Sequence, residues 1–230
     1  MGKKYFVTGT NTGVGKTLVT AGLLAAARQR DLKTVGLKPV AAGCVQTADG
    51  LRNEDARILL AETSLPLTYE QVNPVALQAA IAPHIAAAQE QRRLSADRLA
   101  GFCRGTMMQP SDLLLVEGAG GWRVPLSERE TFADLVKILQ LPVLLVVGME
   151  LGCINHALLT ADAIQHDGLT LAGWVANRVT REMDCYRENL QSLQQRLPCP
   201  LVGELPFLAE ASPQQAAAYL DIDRLLATDN

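Results

Sequence analysis

The 230-residue sequence predicts an α/β fold in which helices flank a doubly wound, mainly parallel sheet. Short apolar runs rich in Val and Leu are typical of strands buried on both faces, and they occur at 5–8, 34–38, 113–117, 143–147, 171–176 and 201–203. Segments with helical periodicity alternate with them, at 17–28, 55–62, 85–91, 96–104, 131–139, 155–166 and 184–196. Right-handed crossovers between such strands bring their carboxyl ends, and therefore a binding site, to one edge.

In chain order, the first strand begins almost at the N-terminus, and no signal peptide precedes it. The second strand ends at Lys38, which is followed by Pro39, and a helix then opens at Asp55 after a turn at 50–54. The alanine-rich segment 78–91 has the spacing of a helix rather than the composition of a spacer. The first half of the chain is therefore expected to alternate between strands and helices without a linker.

In the second half, an unbroken apolar run precedes Glu117, so we expect this carboxylate at the carboxyl end of a strand. The apolar run 141–148 is too short to span a bilayer. The last ten residues, 221–230, carry acids on a predicted short helix that is expected to form a solvated end. No internal repeat or low-complexity stretch is visible, and the sequence predicts one domain over residues 1–230.

Composition excludes some classes of partner. The net charge is −3, which argues against a broad nucleic-acid-binding face, although a local loop of backbone N–H groups could still bind phosphates. The five cysteines are widely spaced without a C-x-x-C pair, which indicates reduced thiols in a cytoplasmic protein. We therefore expect small-molecule ligands, with neither nucleic acid nor membrane as a partner.

The strongest motif is the segment 9–17, Gly-Thr-Asn-Thr-Gly-Val-Gly-Lys-Thr, which follows a strand and opens a helix. In this context glycines let the backbone wrap phosphate oxygens, and the helix N-terminus adds partial positive charge. Lys16 is expected to reach the β- and γ-phosphates, and the Thr17 hydroxyl to ligate Mg²⁺. Gly9 stands one position further from Gly15 than in the common spacing, so this is a variant loop. The alternative is a glycine-rich turn that binds nothing; the motif favours a P-loop NTPase-like fold.

Three charged residues are candidates to complete a phosphate site. Glu117 is followed by small residues at 118–121, which would let a ligand approach the backbone. Asp55 is a candidate metal ligand, and it is also consistent with an ordinary acid in the first turn of a helix. Lys38 is expected to point toward the shared edge of the sheet, or alternatively to be a surface lysine.

Seven motifs together resemble dethiobiotin synthetases. They are GTxTxVGKT at 9–17, KPV at 38–40, LRNxDA at 51–56, VEGAGGW at 116–122, LGCINHA at 151–157, GWVAN at 173–177 and GELP at 203–206. The matches run in order from residue 5 to about residue 208. Many ATPases share the phosphate loop, whereas the segments at 151–157 and 173–177 are far more specific.

The resemblance implies that the substrates are 7,8-diaminononanoate, CO₂ and Mg·ATP. One amine would capture CO₂ as a carbamate, ATP would phosphorylate the carbamate, and the second amine would close a cyclic urea, giving dethiobiotin, ADP and phosphate. Thr17, Asp55 and Glu117 would hold Mg²⁺, while Lys16 and Lys38 would be the catalytic residues that stabilise charge on the carbamate and the transferring phosphoryl group.

The resemblance also implies the binding residues. The nucleotide-binding set comprises Gly13, Val14, Gly15, Lys16, Thr17, Leu18, Asp55, Glu117, Gly118, Ala119, Gly120, Asn177, Arg178, Pro206, Phe207 and Leu208, of which Asn177 and 206–208 would line the adenine pocket. The substrate-binding set comprises Lys38, Ala42, Gly152, Cys153, Ile154 and Asn155. The segment 152–155 would offer backbone N–H groups to the substrate carboxylate, and in the homodimer that the family implies it would serve the active site of the neighbouring subunit.

Three positions depart from the family pattern: Gly13 stands where an acid is common, Ala42 where a serine is usual, and Arg178 where an aspartate can occur. The first two could weaken binding or mark a paralogue that acts on a related diamine. A partitioning-type ATPase switch is a second interpretation of the fold, but such proteins carry an additional lysine where this chain has Asn11. A cobyrinate-type amidoligase is a third, and it would need a glutaminase domain that this chain lacks.

Overall fold

The computed structural model describes residues 2–228, and its main sheet is built from six strands. The strands are β1 Lys3–Gly9, β2 Thr34–Leu37, β3 Val40–Ala41, β4 Val45–Thr47, β5 Gly50–Arg52, β6 Val75–Ala76, β7 Leu113–Gly121, β8 Val143–Gly148, β9 Leu171–Asn177 and β10 Leu201–Leu205. The helices are α1 Lys16–Arg28, α2 Glu54–Ala61, α3 Tyr69–Val72, α4 Pro83–Gln89, α5 Ala96–Met107, α6 Phe132–Leu139, α7 Cys153–His166, α8 Tyr186–Arg196, α9 Pro213–Ala217 and α10 Ile222–Leu226.

The order of the strands across the main sheet is β10-β9-β8-β1-β7-β2, and every neighbouring pair is parallel. The chain builds β2 and β7 on one side of β1, then β8, β9 and β10 on the other, so the winding reverses at β1. Ligands of such sheets bind beyond the carboxyl ends of the strands near this reversal. The predicted doubly wound α/β fold is confirmed.

The sheet separates two apolar cores, because alternate residues of a strand face opposite sides. Val7 and Val146 pack with α1, α9 and α10 on one face. Phe6 and Leu145 pack with α5, α6 and α7 on the other. All six residues of β8 are buried, which explains why its sequence is an unbroken apolar run.

Each predicted strand and helix is present, but several bounds were wrong. Strand β7 continues through the glycines to Gly121, so Glu117 lies within the strand instead of at its end. Thr131 caps α6 with its side chain in a capping box, and Cys185 is a left-handed N-cap residue of α8, so these helices begin later than expected. Helix α4 covers only part of the segment predicted as helical, since it begins at Pro83.

The chain end is more than a solvated tail. Helix α10 lies within the predicted segment, but Ile222 and Leu225 are buried in the core, and the Tyr5 hydroxyl donates to the Leu225 carbonyl at 2.7 Å. The prediction for 221–230 is therefore corrected for α10, while residues 229 and 230 lie outside the described part of the chain. None of the helices described for residues 2–228 combines the length and apolar character that crossing a membrane requires.

Candidate active site

The phosphate loop connects β1 to α1 at the centre of the sheet. Gly13 and Gly15 have φ values of +79° and +85°, a region that side chains with a Cβ rarely adopt. A Cβ on Gly15 would also collide with the side-chain amide of Asn177, which donates to the Val14 carbonyl at 2.9 Å. The loop is thus held from β9, at the far side of β8, and a glycine at position 15 is a steric requirement.

Lys16 opens α1 and is 7% exposed. Its Nζ atom donates to the Asn11 carbonyl at 3.0 Å, so the side chain folds over the loop. Burial, followed by the positive charge of Lys38, lowers the pKa of Lys16 from 10.5 to about 8. A lysine held in this way gains from a nearby anion, because an anion restores the stability of its charged form.

Lys38 lies at the centre of a cluster of charges in which Lys38 and Glu117 are buried and Asp55 is partly exposed. Its Nζ atom lies 2.6 Å from Glu117 Oε1 and 3.0 Å from Asp55 Oδ2, and it also donates to the Gly118 carbonyl at 3.1 Å. Thr17 Oγ1 donates to the same Glu117 Oε1 at 2.8 Å. The interpretation of Lys38 as a surface lysine is therefore wrong.

The two lysines have opposite pKa shifts. Burial alone would lower the pKa of Lys38, but the carboxylates of Glu117 and Asp55 outweigh burial and raise it. Burial would likewise raise the pKa of Asp55, yet the charge of Lys38 keeps it below its usual value. The cluster thus holds Lys38 charged and Asp55 ionised at neutral pH.

The oxygen atoms of this cluster fit Mg²⁺. Thr17, Asp55 and Glu117 present a hydroxyl and two carboxylates, the hard ligands that this ion prefers. Glu117 Oε2 is buried and has no hydrogen-bond partner among the described residues, so it has capacity to accept a cation, directly or through water. Two carboxylates alone make an incomplete site, which is usual where phosphate oxygens and water supply the remaining ligands.

A cleft of about 710 Å³ joins the loop to the charge cluster. Ten of the predicted site residues line it: Gly13, Gly15, Lys16, Thr17, Lys38, Ala42, Asp55, Glu117, Ala119 and Gly120. Val14 and Gly118 are buried beside these residues, and Leu18 is half-buried on α1. The structure therefore brings the phosphate loop, both lysines and the proposed metal ligands into one concave site.

The opposite wall of the cleft is apolar, and the sequence did not single it out. It comprises Ala41, Ala80, Ile81, Ala82, Pro83, Val124 and Pro125. Pro83 and the residues before it lie at the start of α4, and Val124 and Pro125 follow β7. The alanine-rich composition at 78–91 suggested only a helix; the contribution of these residues to the cleft follows from the packing of α4 against the end of the sheet.

The remaining predicted residues lie outside this cleft. Asn177 touches the phosphate loop through Val14. The Arg178 guanidinium lies 4.6 Å from the centre of the Tyr186 ring, its backbone N–H donates to Leu205, and the segment 206–208 follows directly after β10. Gly152 caps the start of α7 with φ +97°, and the preceding Leu151 is 98% exposed. The adenine set and the segment 152–155 therefore do not line the cleft.

Comparison with known proteins agrees with the motifs. A family model described as an AAA domain matches residues 3–215. ATP-dependent dethiobiotin synthetase BioD of Cellvibrio japonicus is 63% identical over 224 residues, which cover 97% of this chain and 98% of that protein. ATP-dependent dethiobiotin synthetase BioD 1 of Escherichia coli O157:H7 is 52% identical over 217 residues, covering 94% and 96%.

The chain belongs to the dethiobiotin synthetase family. The resemblance drawn from the seven motifs is thus confirmed over nearly the whole chain. The matches to these two relatives cover nearly the whole chain, so they include the segment 152–155 and the predicted adenine set as well as the phosphate loop.

Two solved structures of low sequence identity resemble the chain in fold. The cell division ATPase MinD of Pyrococcus furiosus superposes with a TM-score of 0.58 at 19% identity, covering 98% of this chain and 97% of that chain. A ParA family ATPase of Chlorobium tepidum gives a TM-score of 0.57 at 11% identity, covering 99% and 97%. These matches confirm the P-loop NTPase-like architecture and carry no further conclusion about activity.

Proposed function

We propose that this chain is an ATP-dependent dethiobiotin synthetase, a cyclo-ligase of biotin biosynthesis that acts as one catalytic domain. The substrates are 7,8-diaminononanoate, CO₂ and ATP, and the products are dethiobiotin, ADP and phosphate. The observation that carries the proposal is the buried contact of Lys38 with Glu117 and Asp55, beside the phosphate loop and within one cleft. The family identity supports the choice of substrate.

Each residue has a role that its surroundings support. Lys38 is charged, is fixed by two carboxylates and lines the cleft, so it orients the carbamate anion against the phosphate to be attacked. Lys16 neutralises charge that develops on the transferring phosphoryl group. Asn177 and 206–208 receive the adenine, and Arg178 lies beside them.

Mg²⁺, held by Thr17, Asp55 and Glu117, would neutralise phosphate charge and align the phosphoryl group for transfer. The apolar wall around Ala42 and Ile81 packs against the aliphatic chain of the diamine, because an alkyl chain gains most from leaving water against such side chains. Two of the three departures from the family pattern lie in this cleft: Ala42 adds an apolar side chain to its lining, and glycine at position 13 adopts a φ of +79° without strain.

The test is a turnover assay with the purified chain, Mg·ATP, bicarbonate and 7,8-diaminononanoate. We expect ADP release that depends on the diamine, with one dethiobiotin formed for each ADP. Release that responds to a shorter or longer diamine but not to this one would identify a paralogue. ADP release that responds only to DNA or lipid would contradict the proposal and support the partitioning-type switch.

We further propose a homodimer in which the start of α7 binds the substrate carboxylate of the neighbouring subunit. The carboxylate of the diamine is remote from both amines, the helix N-terminus at Gly152 offers backbone N–H groups, and this segment does not line the cleft of its own subunit. The exposure of Leu151 supports a surface that meets a partner.

A complementation assay tests this arrangement. One variant carries Lys16→Ala, and the other carries Ile154→Pro, which removes a donor N–H near the start of α7. Each should be nearly inactive alone. If the sites are shared, random exchange of subunits restores about a quarter of full activity, since a mixed dimer has one intact site. No recovery on mixing would show that each subunit uses its own helix.

We also propose that the protein is located in the cytoplasm. All five cysteines, each within residues 2–228, are free thiols, and Cys44, Cys103 and Cys153 are buried. Free thiols are typical of proteins in the reducing cytoplasm, where ATP is available, and they support this location.

A further inference from the structure

A chain of buried polar groups, formed by Tyr69, Asn73 and Asn53, adjoins the charge cluster, and only Asn53 among them lines the cleft. The Tyr69 hydroxyl donates to Asn73 Oδ1 at 3.0 Å and accepts from the backbone N–H of Asn53 at 2.7 Å. The Asn73 side-chain amide donates to the carbonyl of Lys38 at 2.6 Å and to that of Val75 at 3.2 Å. Tyr69, Asn73 and Asn53 are 8%, 2% and 9% exposed, so these contacts are shielded from water.

Both ends of this chain reach the active site. The Asn53 side chain accepts from the Ala56 N–H at 3.3 Å, which caps α2, and it donates to the Ala42 carbonyl at 3.2 Å in the cleft wall. Asp55 is two residues further along in the first turn of the same helix. At the other end, the Lys38 peptide is held by its carbonyl through Asn73 and by its N–H, which donates to the Val72 carbonyl at 2.8 Å.

We propose that Tyr69 and Asn73 are positioning residues that fix the backbone of Lys38 relative to the start of α2, and so set the contact between Lys38 and Asp55. Neither side chain lines the cleft, so they act through the residues they hold. The expected change in kcat rests on the proposed function. The expected change in Mg·ADP affinity does not, so it tests the inference independently.

The physical argument is that the chain runs indirectly from β2 to α2, so their relative position depends on side-chain contacts between them. Lys38 follows β2 directly, and a two-residue strand, a hairpin and a turn separate it from α2. A hydroxyl that both donates and accepts fixes the distance between its two partners, and within a buried network each unpaired group would be costly. The Arg52 guanidinium, 4.2 Å from the centre of the Tyr69 ring, covers the ring and holds it in place.

The experiment compares Tyr69→Phe with Tyr5→Phe. Both changes remove one buried hydroxyl that is hydrogen-bonded, but Tyr5 bonds to α10 and Thr228, away from the cleft. Loss of stability alone should therefore be similar in the two variants. Kinetic constants for ATP and the diamine, thermal unfolding, and the dissociation constants of Mg·ADP and of ADP without metal are measured for each.

For Tyr69→Phe we expect kcat to fall about 10-fold or more, since displacement of a positioned group by a fraction of an ångström is enough for such losses. The affinity for Mg·ADP should fall about 5-fold, while the affinity for ADP in a chelator is unchanged, because only the metal complex depends on Asp55. Tyr5→Phe should lower the unfolding temperature but leave kcat and both affinities within about twofold of the wild type.

A second variant, Asn73→Ser, removes the bonds to Lys38 and Val75, and its kinetic loss should be strongly non-additive with that of Tyr69→Phe, because both act through one network. If folded Tyr69→Phe keeps the kcat and the Mg·ADP affinity of the wild type, the inference is wrong. If the wild type lacks diamine-dependent turnover, the proposed function is wrong, and the difference between Mg·ADP and free ADP still decides whether Tyr69 positions Asp55.

Discussion

Replacing Lys16 with methionine should stabilise the ligand-free protein while it abolishes turnover. The Lys16 side chain is 7% exposed, and its pKa falls from 10.5 to about 8 because burial and the nearby Lys38 disfavour its charge. Below pH 8 the side chain is charged in both the folded and the unfolded chain, so the whole cost of burying that charge opposes folding. Methionine has a similar shape without the charge.

The difference in pKa gives the magnitude. At about 1.4 kcal/mol per unit of pKa, burying the charge costs about 3 kcal/mol at pH 7. The lost hydrogen bond to the Asn11 carbonyl offsets about 1 kcal/mol of the gain. Lys16→Met should therefore raise the free energy of unfolding by about 2 kcal/mol, which for a chain of this size is about 4–8 °C in melting temperature. Turnover should fall at least about 100-fold, because one charge-stabilising group is lost from the transition state.

Thermal unfolding without nucleotide, from pH 6 to pH 10.5, provides the assay. Between pH 8 and 10.5, the ordinary pKa of a lysine, the unfolded chain binds more protons than the folded chain. The free energy of unfolding of the wild type therefore rises relative to that of the variant as pH increases in this window. The advantage of Lys16→Met should therefore shrink above pH 8. Lys33→Met, at an exposed position, is the control and should show no such dependence. A Lys16→Met protein that is less stable than the wild type at pH 7 would refute the reasoning.

Three further predictions concern the same site and its surroundings. In the pH profile, kcat/KM for ATP should fall above about pH 8 as Lys16 loses its proton in the free enzyme, and a flat profile to pH 9.5 would contradict the assigned pKa. Glu117→Gln should raise the Mg²⁺ concentration for half-maximal rate about 10-fold, whereas the exposed Glu128→Gln should not; equal profiles would exclude Glu117 as a ligand. Asp167→Asn should cost about 1–2 kcal/mol in urea unfolding, because the nearly buried carboxylate accepts from both the Trp122 indole N–H at 2.8 Å and the Arg123 guanidinium at 2.8 Å, and an amide has one oxygen for the two donors; an unchanged midpoint would show that these contacts are not stabilising.

The parts of the site that depend on local chain geometry were predictable from sequence. A strand followed by Gly15-Lys16-Thr17 leaves few alternatives to a phosphate loop, and an acid after an unbroken apolar run must lie near the sheet's binding edge. The exact place of Glu117 was not predictable, because glycine-rich residues neither favour nor forbid the continuation of β7. From the sequence, Lys38 could equally be a surface lysine, and Asp55 an ordinary acid in the first turn of a helix. The contacts of Lys38 with Asp55 at 3.0 Å and with Glu117 at 2.6 Å place Lys38 in the site.

The parts that depend on tertiary packing could not be predicted. Tyr69 lies 31 residues from Lys38 in sequence, on a helix of four residues that gives no periodic signal. Its proposed positioning role depends on the packing of α3 against β2 and the start of α2, which cannot be inferred from a local sequence pattern. The two-residue strands β3 and β6 were missed for the same reason, since they exist only because they pair with each other.

The opposite shifts of the two lysines explain why the site contains both. Lys38 has the carboxylates of Glu117 and Asp55 within 3.0 Å, so its charge persists whether or not an anion is near. Lys16 donates to a neutral carbonyl at 3.0 Å and has no carboxylate within 4.0 Å among residues 2–228, so its charge is costly until an anion arrives. A fixed cation suits a carbamate, which must be oriented throughout the reaction. A cation whose charge is destabilised by burial is stabilised most strongly where negative charge develops. The new negative charge offsets the cost of burying the cation, and this adds to the attraction between the cation and the transferring group. The arrangement of carboxylates around one lysine and not the other thus supports the proposed division of roles, in which Lys38 orients the carbamate and Lys16 stabilises the developing charge.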